Sequence, residues 1–460
     1  MYDWIGAHLS ILMFLVLTVI MFVGYPVAFV LGGVALAFGV LGIFFDVFRA
    51  QQFYSLIPRI WGQAVQNPAL IAIPMFVFMG TLLERSGVAD DLLHALQVLT
   101  RRIPGGLAMS VTLMGTIMAA TTGIVGASVI MLTLIALPKM LESGYQKELS
   151  VGTIASAGTL GILIPPSIML VIMGDLLTIS VGTLFTAAVL PGLLLSVLYL
   201  VYQGILAAVR PELAPALSKA AGPQTRAEFW KLMLKSFLPP TFLITVVLGS
   251  IFGGLATPTE AGAAGSVGAM VLAAWNKRLS VKMLREVIES SALTNALVFF
   301  IVFGATLFSY VFRALGGDDV VLEILAAMGL NTGWSILIFL MVLVFIMGFF
   351  FDWIEICLIV LPIFAPILLK VDFTPHLAAN KDFMIWFTIL IAVNLQSAFL
   401  TPPFGFALFY MKGTVPPSVT MAHIYRGIIP FVALQMLGVA LCIIFPEIVL
   451  WLPRKLGYMD

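Results

Sequence analysis

Charge is the scarcest property of this sequence of 460 residues. Only 10% of its residues are charged, 61% are hydrophobic, and the mean hydropathy is +1.13, whereas soluble domains carry about 25% charged residues. The apolar runs are continuous, without the alternation over about ten residues that a porin-type barrel requires. The composition therefore predicts an all-α polytopic membrane protein.

Groups that carry enzyme chemistry are also few. The two cysteines, Cys357 and Cys442, both lie inside apolar runs, which is typical of buried thiols. The four histidines have no metal-ligand spacing, and no phosphate-binding loop is present. A net charge of +1 gives no nucleic-acid footprint. We therefore expect neither an enzyme nor an ATP-driven pump. Because the N-terminus lacks a basic leader region, the first apolar run is expected to remain as a span.

Two apolar spans are interrupted by proline pairs. The span at about 149–175 contains Gly158–Ser167 with Pro165-Pro166, and the span at about 383–412 contains Asn394–Pro403. Proline removes an amide donor, and its ring clashes with the preceding turn of a helix. Irregular backbone at membrane depth is tolerated only where it lines a cavity or is buried in protein. The sequence therefore predicts that both breaks belong to a site.

Two further apolar runs carry short interruptions of another kind. Residues 121–128 divide the run at about 106–141, and residues 348–355 divide the run at about 334–369. Each arm is short for a hydrocarbon core of about 30 Å. We therefore predict two re-entrant hairpins, each made of two half-length helices that meet at a tip inside the membrane. The alternative for the first run is one long kinked span.

The order of these elements repeats along the chain. Pro138 recurs as Pro362 and Pro165 as Pro402, at offsets of 224 and 237 positions. This pattern predicts a first repeat at 1–209, a cytoplasmic linker at 210–235 and a second repeat at 236–460. Each repeat would contain five spans, one of them broken, and one hairpin. Because five is odd, the second repeat enters from the opposite side, as in the inverted repeats of secondary transporters.

The distribution of basic residues predicts the orientation. If the N-terminus is outside, sixteen of the 23 Lys and Arg residues fall in the predicted inner loops and seven in the outer loops. Inner loops carry the excess of positive charge, so both termini are expected to be periplasmic. The spacing of Leu92, Leu93, Leu96 and Leu99 predicts an amphipathic helix on the membrane surface.

Oxygen-bearing residues concentrate at the four interruptions. Half-helices aim their positive N-terminal ends at anions, while unwound carbonyls and hydroxyls coordinate sodium. Hard oxygen ligands suit an alkali cation. The predicted sodium ligands are Thr122, Gly123, Ser128, Ser156, Gly158, Asp352 and Thr401.

Asp352 interrupts a long uncharged run at the predicted second tip, and acids at membrane depth are costly and usually functional. The alternative is an acid that reaches the outer surface. Glu260 starts a span, where it can simply cap a helix. The predicted substrate contacts are Thr159, Ser167, Asp352, Trp353, Glu355, Asn394, Gln396 and Ser397.

At these motifs the sequence resembles the large membrane subunit of tripartite ATP-independent periplasmic (TRAP) transporters. Three stretches carry this resemblance, namely Ser156–Ser167, Gly254–Gly262 and Leu400–Gly405. A second set of stretches is similar to the branch often labelled mannitol/chloroaromatic-type. They are Thr122–Ser128, Asp352–Glu355 and Asn394–Ser397.

The resemblance implies sodium-driven import of a small organic acid across the bacterial inner membrane, by an elevator movement and without a cofactor. It implies two protein partners, a periplasmic substrate-binding protein and a small four-helix membrane subunit. Many family members have a serine-rich first tip, whereas Thr122 here is followed by Gly-Ile-Val. Sodium contacts there would depend on Thr122 and backbone carbonyls. The alternative is a stand-alone sodium/carboxylate elevator transporter that needs no binding protein.

Overall fold

A computed structural model of the chain describes residues 6, 8–122, 125–217, 225–330, 332–369, 371, 373, 376–377, 382–402 and 405–459. Within these residues the structure consists of helices and their connections, with no β-strand. The all-α prediction is therefore confirmed for the described part. Seven of its helices are long and apolar enough to cross a membrane.

The helices are numbered in chain order. The first half contains α1 (Leu9–Phe22), α2 (Val27–Phe44), α3 (Leu56–Ile60), α4 (Ala72–Arg85), α5 (Val88–Thr100), α6 (Gly106–Thr122), α7 (Val125–Glu142), α8 (Lys147–Thr159), α9 (Ile168–Leu176) and α10 (Val181–Val209). The second half contains α11 (Arg226–Leu232), α12 (Leu238–Phe252), α13 (Pro258–Trp275), α14 (Val281–Ala314), α15 (Gly317–Ala327), α16 (Gly333–Met347), α17 (Trp353–Leu368), α18 (Phe383–Leu400), α19 (Phe406–Lys412), α20 (Met421–Ile444) and α21 (Glu447–Lys455). Short turns of tighter or wider helix occupy Ala50–Ser55, Trp61–Val65, Leu160–Ile162, Pro211–Leu213 and Met233–Phe237.

Two helix boundaries differ from the sequence expectation. Helix α11 begins at Arg226, inside the predicted linker, because Thr225 and Glu228 form reciprocal capping hydrogen bonds at its start. It continues into α12, so that one helical stretch runs from Arg226 to Phe252. The uncharged run after Arg426 predicts one last span at about 427–450, but the structure divides this region into α20 and α21, and Pro446 is the residue before α21.

The predicted amphipathic helix is α5, which bends by 64° away from α4. Leu92, Leu93 and Leu96 are buried in the protein, as a surface helix with one apolar face requires. Leu99 is 52% exposed and therefore does not belong to that face. One turn earlier, Val88 and Ala89 are buried as well and extend the apolar stripe.

The two broken spans occupy the centre of the molecule. In α18, 94% of the residues are buried, whereas only 17% are buried in the most apolar part of the stretch that contains α12. Helix α8 is buried from Leu149 to its end. An apolar helix that is buried on all sides belongs to a core, so α8 and α18 form the interior and α12 lies at the periphery.

Helix α20 crosses α8 in direct backbone contact. A Cβ atom added to Gly152 would lie 2.1 Å from the carbonyl oxygen of Gly427, and one added to Gly427 would lie 2.2 Å from the carbonyl oxygen of Glu148. Only glycine fits such an approach, and small residues commonly allow membrane helices to pack this closely. The crossing fixes α8, which carries the first half of the candidate site.

The two halves present their elements in the same order. The pair α6 and α7 is followed by the broken span α8–α9, and the pair α16 and α17 is followed by α18–α19. Pro138 and Pro362 lie in the second arm of their respective pairs. The inverted relation between the two repeats stays a prediction.

Candidate functional site

The first break separates α8 from α9. Helix α8 ends at Thr159, a tighter turn covers Leu160–Ile162, and α9 begins only at Ile168. The intervening residues include Pro165-Pro166, which are joined by a cis peptide bond. Ser167 caps α9, since its hydroxyl accepts a hydrogen bond from the Leu170 amide at 3.4 Å and donates to the carbonyl of Ile162. The Ser167 hydroxyl is therefore hydrogen-bonded to backbone groups on both sides of the break and stabilises its conformation.

The first hairpin packs against this break. A Cβ atom on Gly158 would lie 2.5 Å from Cγ2 of Val129, which is near the start of α7. A cavity of about 10 Å³ lies between the two elements, with Ser128, Gly158 and Gly161 in its wall. A volume of this size holds about one water molecule or one small ion. The structure therefore brings together Ser128 and Gly158, two of the predicted sodium ligands.

Ser156 and Thr159 are fully buried near the end of α8. The Ser156 hydroxyl donates to the carbonyl of Thr153 at 3.1 Å, and the Thr159 hydroxyl donates to the carbonyl of Ser156 at 2.9 Å. Thr159 also accepts a hydrogen bond from Nε2 of Gln435 on α20 at 3.5 Å. Both hydroxyl hydrogens thus point back along the helix, and each oxygen keeps acceptor capacity.

Two predicted ligands lie at the first tip between α6 and α7. Helix α6 ends at Thr122. The prediction for Gly123 lies outside the described residues, and so does the side chain of Thr122.

At the second tip, Asp352 is the N-cap residue of α17. Its Oδ1 accepts a hydrogen bond from the Trp353 amide at 2.8 Å, while its own amide donates to Oε2 of Glu355 at 3.2 Å. This reciprocal cap places two acidic side chains at the positive end of a helix. Asp352 is partly buried, and Glu355 and Trp353 are only 6% and 5% exposed. The structure therefore places these three predicted residues together.

The second break is shorter than predicted. The sequence suggested an interruption from Asn394, but α18 continues to Leu400 and the break begins at Thr401. The prolines at 402 and 403 disturb the helix only at their own positions and just before them, so Asn394, Gln396 and Ser397 remain helical. Pro403 lies outside the described residues.

The polar side chains of α18 make different contacts. Asn394 donates through Nδ2 to the carbonyl of Met341 on α16 at 2.7 Å. Ser397 donates to the carbonyl of Asn394 at 2.6 Å, and Thr401 donates to the carbonyl of Ser397 at 2.7 Å. Gln396 is completely buried, and both polar atoms of its amide lack a hydrogen-bond partner among the described residues. Buried amides are normally paired, so Gln396 is the α18 residue best suited to receive a ligand.

The second hairpin packs on α18 just before the break. A Cβ atom on Gly348 would lie 2.0 Å from Cβ of Ala398 and 3.2 Å from its Cα. Ala398 is the residue after Ser397 and lies one turn before Thr401. Each hairpin thus meets its own broken span through a glycine, at Gly158 in the first half and at Gly348 in the second.

Tyr410 on α19 packs against the first tip, and sequence reasoning missed it. A Cβ atom on Gly126 of the first hairpin would lie 2.8 Å from Cε2 of the Tyr410 ring. A tyrosine within the short apolar half-helix Phe406–Lys412 was the available signal.

The contact between Gly348 and Ala398 gives a first testable prediction. The change Gly348→Ala is expected to push the second tip off α18 and to reduce uptake by the reconstituted transporter by about tenfold or more, since overpacking costs about 1–3 kcal/mol. Adding Ala398→Gly restores the space, so the double variant is expected to recover most of the lost rate. A double variant no better than Gly348→Ala would contradict this account of the contact.

Comparisons with known proteins agree with this architecture. The family model described as tripartite ATP-independent periplasmic transporter, DctM component, matches residues 14–448. The chain is 31% identical over 396 residues to the C4-dicarboxylate TRAP transporter large permease protein DctM of Pseudomonas aeruginosa, covering 85% of this chain and 88% of that protein. It is 32% identical over 450 residues to the ectoine/5-hydroxyectoine TRAP transporter large permease protein UehC of Ruegeria pomeroyi, covering 97% and 98%.

More distant matches extend the same comparison. The sialic acid TRAP transporter large permease protein SiaM of Vibrio cholerae is 28% identical over 447 residues, covering 95% of this chain and 97% of that protein. The crystal structure of the Alcanivorax borkumensis YdaH transporter superposes with a TM-score of 0.63 at 14% identity, covering 98% and 99% of the two chains, and so shares the fold. The chain therefore belongs to the DctM family, and it is a multi-pass membrane permease component of a TRAP transporter.

Proposed function

We propose that this chain is the permease subunit for sodium-coupled import of a small organic acid across the bacterial inner membrane. The observation that carries the proposal is the meeting of two hairpins with two broken spans, at Gly158 and at Gly348. Broken helices at membrane depth are where secondary transporters hold substrate and coupling ions. The acidic Asp352 lies at one of these meeting points.

The names of the relatives support a carboxylate substrate. C4-dicarboxylates, ectoine and sialic acid, which appear in those names, all carry a carboxylate group. In this chain α9 begins at the first break and α17 at the second tip, and their N-terminal ends favour negative charge. The unpaired amide of Gln396, the indole of Trp353 and the hydroxyl of Thr159 supply neutral contacts. We also propose that the chain belongs to the mannitol/chloroaromatic-type branch of the family.

Sodium would bind where oxygen ligands surround small spaces. At the first tip the proposed ligands are the hydroxyls of Ser128 and Ser156 and the carbonyl of Gly158, and of these Ser128 and Gly158 line the cavity of about 10 Å³. At the second tip they are Asp352 and Thr401. The carboxylate of Asp352 supplies the negative charge that offsets the cation, which neutral ligands cannot do. Thr122 and Gly123 complete the proposed set.

The proposed system has three protein parts. A periplasmic binding protein delivers the solute, and a small four-helix membrane subunit joins the fixed part of this chain. The hairpins and the broken spans move together as the elevator, carrying the site between the two faces. Both termini lie in the periplasm, as the excess of basic residues in the inner loops suggests.

The test is uptake by proteoliposomes that contain the two membrane subunits and the binding protein. C4-dicarboxylates, ectoine and sialic acid are offered as labelled solutes under an inward sodium gradient or a matched potassium gradient. We expect uptake of one class, and only with the sodium gradient. Equal uptake in both gradients would refute sodium coupling, and full uptake without the binding protein would favour the stand-alone alternative.

A further inference from the structure

A second cavity lies between α14 and α17, away from the two tips. Its volume is about 940 Å³, which is in the range of small-molecule sites. Its walls come from the C-terminal parts of α14 and α17, from residues 175–178 at the end of α9 and just after it, and from the segment 52–67. Among the α17 residues in its wall, Leu358 is the nearest in sequence to Asp352, and the helix rises by about 9 Å between the two. Under the proposed orientation the cavity opens to the periplasm and ends near the second tip.

An arginine in this wall stacks on a tyrosine ring. The guanidinium carbon of Arg59 lies 4.3 Å from the centre of the Tyr310 ring. Tyr310 is itself fixed, because its hydroxyl accepts a hydrogen bond from the Ser55 hydroxyl at 2.8 Å. Across the described ranges, no residue forms a hydrogen bond or ion pair with Arg59. Its donors are therefore positioned by stacking and remain available to an acceptor in the cavity.

A second arginine crosses the cavity from α14 to α17. Nη2 of Arg313 donates to the carbonyl of Pro362 at 2.5 Å, and its Nε lies 3.7 Å from Oδ2 of Asp318. Pro366 has no amide hydrogen, so the carbonyl of Pro362 lacks its usual helical donor. Arg313 replaces that donor. An anionic ligand would be a stronger acceptor than this carbonyl.

The charges around the cavity favour an anion. Arg59, Arg313 and Asp175 are the charged residues in its wall. The carboxylate of Asp175 accepts a hydrogen bond from the side chain of Asn67, and Asp318 partly offsets Arg313. The three charged wall residues therefore sum to one positive charge, and Asp318, which is paired with Arg313, lies outside the wall.

We propose that this cavity is a docking vestibule, in which Arg59 and Arg313 hold the carboxylate of the incoming solute before it reaches the tips. This proposal rests on the proposed function, because that function defines the direction in which the solute moves through the cavity. Arg59 would make the first contact. Arg313 would then exchange the carbonyl of Pro362 for the solute, releasing α17 from α14 and freeing the second hairpin to move.

The test measures the local potential and needs no transport. Ser309 on α14 lines the cavity, and Thr332 is exposed at the start of α16 outside it. Ser309→Cys or Thr332→Cys is introduced after replacement of Cys357 and Cys442 by alanine. The purified proteins in detergent are treated with an anionic or a cationic methanethiosulfonate, and the ratio of the two reaction rates is compared between sites.

We expect the anionic-to-cationic ratio at Ser309→Cys to exceed that at Thr332→Cys by about tenfold or more. Arg59→Gln is expected to remove most of this difference and leave the ratio at Thr332→Cys unchanged. Equal ratios at the two sites, or no effect of Arg59→Gln, would overturn the vestibule. Absence of uptake by the wild-type system would instead count against the proposed function, so the two failures are distinguishable.

Discussion

Asp352→Asn is expected to reduce sodium-driven uptake by about 100-fold or more while the protein folds and assembles normally. The reason is that asparagine caps a helix about as well as aspartate but carries no charge. Two unit charges at contact distance interact by about 4 kcal/mol in a partly shielded site, which corresponds to more than two powers of ten. Uptake by proteoliposomes and the melting temperature of the purified protein are the measurements.

Two further variants separate the charge of Asp352 from its capping role. Asp352→Ala removes both, so we expect the same loss of uptake together with a loss of about 1 kcal/mol in stability. Asp319→Asn removes an exposed acid from the first turn of α15, outside the site, and is expected to change neither quantity. Wild-type uptake with unchanged sodium dependence in a well-folded Asp352→Asn protein would exclude Asp352 from coupling.

Gly427→Ala is expected to be among the most destabilising single changes in the chain. The added Cβ atom would lie 2.2 Å from the carbonyl oxygen and 3.0 Å from the carbonyl carbon of Glu148. These are backbone atoms of α8, which cannot rotate away, so the two helices must separate along their whole crossing. Overpacking a well-packed core typically costs about 1–3 kcal/mol, and we expect about 3 kcal/mol or more here. Thermal unfolding of the purified protein in detergent measures the loss.

Gly33→Ala is the matched control for this effect. Gly33 lies inside α2, and a Cβ atom there would meet nothing within 4 Å. Alanine has the higher helix propensity by about 1 kcal/mol, so this variant is expected to melt at the same temperature or slightly higher. If Gly427→Ala melted like Gly33→Ala, the close contact between α8 and α20 would be refuted.

Elements with strong local signals could be predicted from the sequence. Helix α13 begins where its sequence indicates a start, because Pro258 is its first residue and Thr257 caps it. Glu260 illustrates this, since its carboxylate accepts from the Thr257 amide at 2.8 Å and acts as a simple cap. Gly24, with a φ of 90°, and Pro26, the residue before α2, separate α1 from α2 in the same way.

Contacts between distant segments could not be predicted. Asn394 was predicted to contact the substrate, and its Nδ2 also donates to the backbone carbonyl of Met341, 53 positions earlier in the chain. Which carbonyl is within reach depends on packing, and no local pattern encodes it. For the same reason, the sequence did not predict three residues whose roles depend on contacts with other elements. They are Tyr410 against Gly126, Arg59 over Tyr310, and Gly348 against Ala398.

The difference between the two breaks has a physical reason that the proline pairs alone do not reveal. Gly158 and Gly161 weaken the helix before the first proline pair, and α8 ends at Thr159. The residues before Pro402 lack glycine, and α18 stays helical to Leu400. The second half therefore presents its polar side chains from a rigid helix, with Gln396 fully buried and unpaired in the described structure.

Equilibrium binding of radioactive sodium to the purified chain tests the central claim most directly, because it requires no substrate and no partner. We predict saturable binding by the wild-type protein that excess sodium displaces and excess potassium does not. We predict the same binding by Asp319→Asn and a loss of about tenfold or more in affinity for Asp352→Asn. Wild-type sodium affinity in Asp352→Asn, or no saturable binding in the wild type, would contradict a sodium site at the hairpin tips.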